Sequence, residues 1–143
     1  MDYPLLRPVA ALLLWSLVML VWMYVTRIPA MQKAGIDLKN RVGGGGRDLD
    51  NILPPEVQWI SHNYNHLMEQ PTLFYAACLM LSFYGWNDPA TVAFAWAYVV
   101  LRIAHSVVQA TINRIRYRFA LFLLATLALA GLIVHAALAA FGS

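Results

Sequence analysis

Charge is what this chain has least of: only 12% of its 143 residues are Asp, Glu, Lys or Arg, against 61% hydrophobic residues. Its mean hydropathy of +0.60 lies well beyond ordinary soluble usage, which excludes a typical water-soluble domain and points to a membrane protein. Cysteine is almost absent: the single Cys78 excludes an internal disulfide, and its apolar neighbours make it a packing residue. A signal-peptide core is also missing, because Pro8 to Thr26 runs 19 residues without a charge, longer than such cores, with no small-residue cleavage site after it. The expectation is a retained transmembrane helix. No second soluble domain and no internal repeat is visible, so the whole chain, 1–143, reads as one membrane domain.

What is there is an all-α pattern of four transmembrane helices, expected over about 5–26, 55–84, 89–113 and 117–141. Pro71 should kink the second, because it removes one backbone hydrogen bond. The short turn Gly85 to Pro89 forces an antiparallel hairpin between the second and third. Between the first two helices, the run Gly43–Gly46 marks a flexible loop tip. It is a poor phosphate cradle, since no lysine-serine pair follows and no strand precedes it. The loop 27–55 carries five Lys or Arg and the 114–118 turn carries three, whereas the other face has only Arg7. By the positive-inside rule the basic loops are cytoplasmic and both termini external.

Against this background, Ser61 to Phe74 (SHNYNHLMEQPTLF) is expensive. A charged group near the bilayer centre costs about 2.5–3.5 kcal/mol on insertion scales. His62, Asn65, His66 and Glu69 fall at helical spacing on one stripe, and Arg102, His105 and Gln109 on another, with Asn113 a turn beyond. Glu69 lies 15 residues before Tyr84 and Arg102 lies 13 after Pro89. At 1.5 Å per residue both sit about 20–22 Å above the external turn, so a Glu69–Arg102 ion pair is expected. The two stripes would wall a polar crevice open to the cytoplasm, with Arg114, Arg116 and Arg118 at its rim. Such a site suits a small anion, and a guanidinium there would also stabilise a thiolate. Metal ligation is not expected, because no thiolate or second carboxylate joins the histidines. His135 reads as a packed or interfacial histidine. A through path for protons or solutes is disfavoured, since 73–83 offers only Tyr75, Cys78 and Ser82 as polar groups. The fourth helix is rich in small residues (Ala125, Ala128, Ala130, Gly131), which let it pack inside the subunit or against a neighbour.

In length, span count and the segments Asn65–Pro71 (NHLMEQP), Arg102–Ser106 (RIAHS) and Arg118, the chain resembles the membrane-associated proteins in eicosanoid and glutathione metabolism. That family includes the microsomal glutathione transferases and prostaglandin E synthase. The resemblance implies a homotrimer of four-helix subunits in the lipid bilayer that binds glutathione at the cytoplasmic side. It implies that Arg118 stabilises the glutathione thiolate. His62, Asn65, His66, Glu69, Arg102, His105, Gln109 and Arg114 would line the glutathione site, and the second substrate would be a lipophilic small molecule. The chain departs from the family pattern at His62, Asn65, His66 and Gln109, where arginine, arginine, asparagine and tyrosine are common. A glutathione-dependent transferase or peroxidase is therefore the leading expectation. A non-catalytic membrane subunit that scaffolds a larger complex is the alternative, and no nucleic-acid partner is expected.

Overall fold

The computed structural model describes residues 2–142, which form an up-and-down bundle of four helical arms, one of them interrupted. Helices α1 (Leu6–Lys33), α4 (Pro89–Thr111) and α5 (Ile115–Phe141) are each long and apolar enough to cross a membrane. The remaining arm is α2 (Pro55–Leu67) followed by α3 (Pro71–Phe83). The four-arm pattern fits a membrane-embedded bundle. Large apolar side chains such as Leu13, Leu14, Leu17 and Val21 stay more than half exposed on α1, as a lipid-facing surface requires.

Two boundaries differ from the sequence expectation. The first helix continues past residue 26 to Lys33, through Pro29, and its 28 residues span about 42 Å. It stops where Gly35 adopts a left-handed φ of 70°, with Gly35 N–H donating to Gln32 O and Ile36 N–H to Met31 O. The second difference is the break in the second arm. Pro71 has no N–H for the carbonyl of Leu67, and α3 restarts with this proline at its first position. Across the chain between them, Met68–Gln70, the α-helical bonding gives way to tighter turns, with Met68 N–H donating to Asn65 O at 3.0 Å and Glu69 N–H to His66 O at 3.3 Å.

The glycine run is also more ordered in its contacts than a bare loop tip. A 3₁₀ turn spans Gly46–Leu49, and the Asp48 carboxylate accepts from Gly45 N–H at 2.7 Å. Leu49 and Leu53 are buried beneath it.

Polar knots tie the arms together. The fully buried Ser106 hydroxyl of α4 accepts from Trp15 Nε1 of α1 at 2.9 Å and from Asn63 Nδ2 of α2 at 2.5 Å. At the end of the break, Gln70 donates to Thr126 Oγ1 of α5 at 3.0 Å and accepts from the Tyr98 hydroxyl of α4 at 3.3 Å. At the hairpin turn Asp88 caps α4, accepting from Ala90 N–H and Thr91 N–H at 3.1 Å each. The Thr91 hydroxyl bonds to Asp88 and meets His135 Nδ1, which anchors the far end of α5. Of the small residues of α5, Ala125, Ala128, Ala136 and Ala139 are buried inside the subunit, whereas Ala130 is exposed. An added Cβ at Gly131 would stand 3.2 Å from the Phe94 ring, so this glycine lets α4 approach.

Candidate functional site

Where α2, α4 and the first turns of α5 meet, His66, His105, Ile115, Arg118, Phe119 and Phe122 line a cavity of about 380 Å³. The His66 and His105 rings lie 5.2 Å apart, and both face Phe122, at 5.5 Å and 6.1 Å. Behind them Arg102 is completely buried. Its Nη2 donates to His66 O at 3.4 Å, and its Cζ lies 5.8 Å from the centre of the Phe122 ring. At the mouth Arg118 is half-buried, with Nη1 donating to Asn113 Oδ1 at 2.7 Å.

The chemistry of this crevice is set by what is left open. Among the described residues, Arg102 Nε and Nη1, His105 Nδ1, Gln109 Oε1 and Arg118 Nε are buried without a hydrogen-bond partner. Buried polar groups are ordinarily paired, and these five atoms lie together on neighbouring residues of α4 and α5. Three of the five belong to guanidinium donors, and no described carboxylate forms an ion pair with Arg102 or Arg118. The crevice is cationic and asks for an acceptor.

The expected Glu69–Arg102 ion pair is not formed. The Glu69 side chain is 68% exposed and pairs instead with His66 Nδ1 at 3.0 Å. The depth estimate assumed an unbroken second helix. Glu69 instead lies in the break at Met68–Gln70 with its side chain exposed, and Arg102 meets His66 O near the end of α2.

The remaining residues of the expected stripe also separate. Only His66 turns toward His105. His62 is exposed, with Nε2 3.2 Å from Asp50 Oδ1 in the preceding loop. Asn65 is exposed and borders a second cavity, of about 520 Å³, beside Arg27 and Gly43–Gly46. Gln109 is buried a turn beyond His105, and Arg114 is exposed at the N-cap of α5.

Sequence reasoning missed Arg27 by assigning it to the loop. It is buried near the end of α1, donating to Ser61 Oγ at 2.5 Å and to Gly46 O at 2.7 Å. The signal was available: Leu12, Ser16, Met19, Met23 and Arg27 follow one another at steps of three and four. The aromatic wall from Phe119 and Phe122 was also unmarked, hidden in the long apolar run of α5.

A helical membrane bundle with a cationic, histidine-lined crevice at one end is the class of protein these observations define. The chain belongs to the MAPEG family, whose sequence profile matches residues 5–138. It is thus a membrane protein of the glutathione and eicosanoid metabolism family. No curated protein and no solved structure matches it.

Proposed function

We propose that this protein is a glutathione-dependent transferase or peroxidase that acts on lipophilic electrophiles from within the bilayer. The observation that carries this reading is the set of unpaired guanidinium donors, Arg102 Nε and Nη1 and Arg118 Nε, beside the cavity of His66 and His105. Glutathione supplies two carboxylates and a thiol, and arginine favours both a carboxylate and a thiolate. Arg118, at the mouth, would lower the thiol pKa so that the proton leaves to water. The thiolate would then form a bond to the electrophilic atom as that atom's bond to the leaving group breaks, and the electron pair of the broken bond departs with the leaving group. His66, His105 and Gln109 would orient the peptide, and the exposed Glu69 would receive its ammonium. His62, Asn65 and Arg114 lie farther out and would act only on its approach. Phe119, Phe122 and Ile115 offer the apolar surface for the lipophilic partner.

In this reading the second arm is the fourth crossing, the end of the bundle that carries the basic residues of 27–55 and 114–118 faces the cytoplasm, and both termini are external. A homotrimer is the proposed assembly, as the family resemblance implies. The test is turnover of a chromogenic aryl halide with glutathione by purified protein. Wild type should conjugate it and Arg118→Ala should lose at least about tenfold in kcat, the worth of one charged hydrogen bond. Equal rates in the two proteins would remove Arg118 from the chemistry.

A second reading is a non-catalytic membrane subunit of a larger complex. It is favoured by the outward turn of Glu69, which leaves the crevice without its carboxylate. Native mass spectrometry of gently solubilised membranes separates the two: a stoichiometric foreign partner supports the subunit, a bare homotrimer the enzyme.

A further inference from the structure

We propose that Asn113 is the positioning residue of Arg118: its carboxamide, fixed by the left-handed turn between α4 and α5, holds the guanidinium against the crevice of His66 and His105. The inference deepens the glutathione reading and rests on it for its catalytic consequence.

Arg114, Arg116 and Arg118 share one short stretch, yet their fates differ. Arg114 and Arg116 are exposed, as arginines at a membrane–water boundary ordinarily are when they reach for headgroups or solvent. Arg118 alone of the three is half-buried, and its Nη1 donates to Asn113 Oδ1 at 2.7 Å. That bond leaves Nε buried and unpaired beside the cavity.

The backbone explains how Asn113 can do this. With φ at 51°, it is the one non-glycine residue with positive φ among those described. Its N–H and that of Ile112 both donate to Val108 O, at 2.7 Å and 3.1 Å, closing α4. Asparagine and glycine are the residues that best tolerate this conformation. Glycine would satisfy the turn with less strain but has no acceptor, so the side chain of Asn113 supplies what the turn alone does not need. The acceptor is also neutral. It fixes the guanidinium without cancelling its charge, which an aspartate there would do.

Two variants test this. Asn113→Gly keeps the turn and removes the acceptor, whereas Asn113→Asp keeps the acceptor and adds a negative charge. The first readout needs no glutathione: the rate at which phenylglyoxal modifies Arg118, measured by mass spectrometry against the exposed Arg114 and Arg116 of the same molecule. Asn113→Gly should raise the Arg118 rate about tenfold, and Asn113→Asp should leave it at the wild-type value. The second readout is the ultraviolet thiolate signal of glutathione titrated against pH on the purified protein. Both variants should shift that titration upward, the glycine by a freed guanidinium and the aspartate by a neutralised one. An Arg118 rate in Asn113→Gly equal to wild type, with an unchanged melting temperature, overturns the proposal, as does an Asn113→Asp rate that rises to that of Arg114. Faster labelling in Asn113→Gly without any thiolate signal in wild type would uphold the anchor and sink the glutathione reading instead.

Discussion

Arg102 Nη2 lies 3.4 Å from the backbone carbonyl of His66, so a fully buried guanidinium faces the C-terminal end of α2. The last carbonyls of a helix carry partial negative charge and lack intrahelical partners, and a cation there is favourable. This carbonyl lies one residue before the end of α2, where it also accepts Glu69 N–H at 3.3 Å. Among the described residues no carboxylate forms an ion pair with this guanidinium. Two of its nitrogens, Nε and Nη1, remain unpaired. The arrangement serves binding better than it serves stability.

Arg102→Met follows from that. Replacing a buried charge with an apolar side chain of similar size is often neutral or stabilising. The variant should unfold in detergent within about 1 kcal/mol of wild type, the worth of one hydrogen bond. Its glutathione affinity should nonetheless fall by at least about tenfold, the effect of losing one charged hydrogen bond. Strong destabilisation with unchanged affinity would make Arg102 a structural residue.

Ser106→Ala should do the opposite. The hydroxyl accepts from both Trp15 Nε1 and Asn63 Nδ2 in the centre of the bundle. Its loss leaves the Asn63 and Trp15 donors unpaired, a cost of about 2–6 kcal/mol together. Thermal unfolding in detergent measures this. A melting point equal to wild type would show that the three arms are not tied there.

Arg27→Met should release the loop after α1. The guanidinium joins Ser61 Oγ to Gly46 O, and with it gone the 3₁₀ turn loses its link to the bundle. Trypsin should then cut after Lys39, Arg41 and Arg47 about tenfold faster, as loss of one charged hydrogen bond implies. Unchanged cleavage would mean that Leu49 and Leu53 alone hold the loop.

The hairpin turn predicts an acid response. The Thr91 hydroxyl, together with Thr91 N–H, holds the Asp88 carboxyl below the ordinary aspartate range. A group depressed in the folded state contributes stability that is full above its unfolded pKa and is lost as pH falls through its folded one. Wild type should therefore lose this contribution below the ordinary aspartate range. Asp88→Asn, still a capping residue, should lack that acid step. Asp88→Ala should cost about 1 kcal/mol at neutral pH. Melting curves of the three proteins across the acid range check the sign, and an identical acid step in Asp88→Asn would assign it to another group.

Much of this fold is legible in the residues because lipid imposes a coarse rule, long apolar runs separated by charge. The hairpin was marked by Gly85, Asp88 and Pro89, and the break by Pro71. The site was less legible. Periodicity placed His66 and Arg102 correctly on their helices, but Glu69 falls in the break between α2 and α3, and the expected ion pair assumed a straight second arm. A proline reveals that a helix is interrupted, and not which way the preceding residues turn. Arg27 was hidden differently: a first charge after an apolar run looks like a loop residue, although its helical spacing from Met19 and Met23 shows a buried face. The role of Asn113 depends on a backbone angle that no periodicity reports.

The most direct measurement is calorimetric titration of glutathione into purified, detergent-solubilised protein, wild type beside Arg118→Ala. The account predicts saturable binding to wild type and affinity weakened at least about tenfold in the variant, as loss of one charged hydrogen bond implies. Absence of binding to wild type, or equal binding to both, would contradict it.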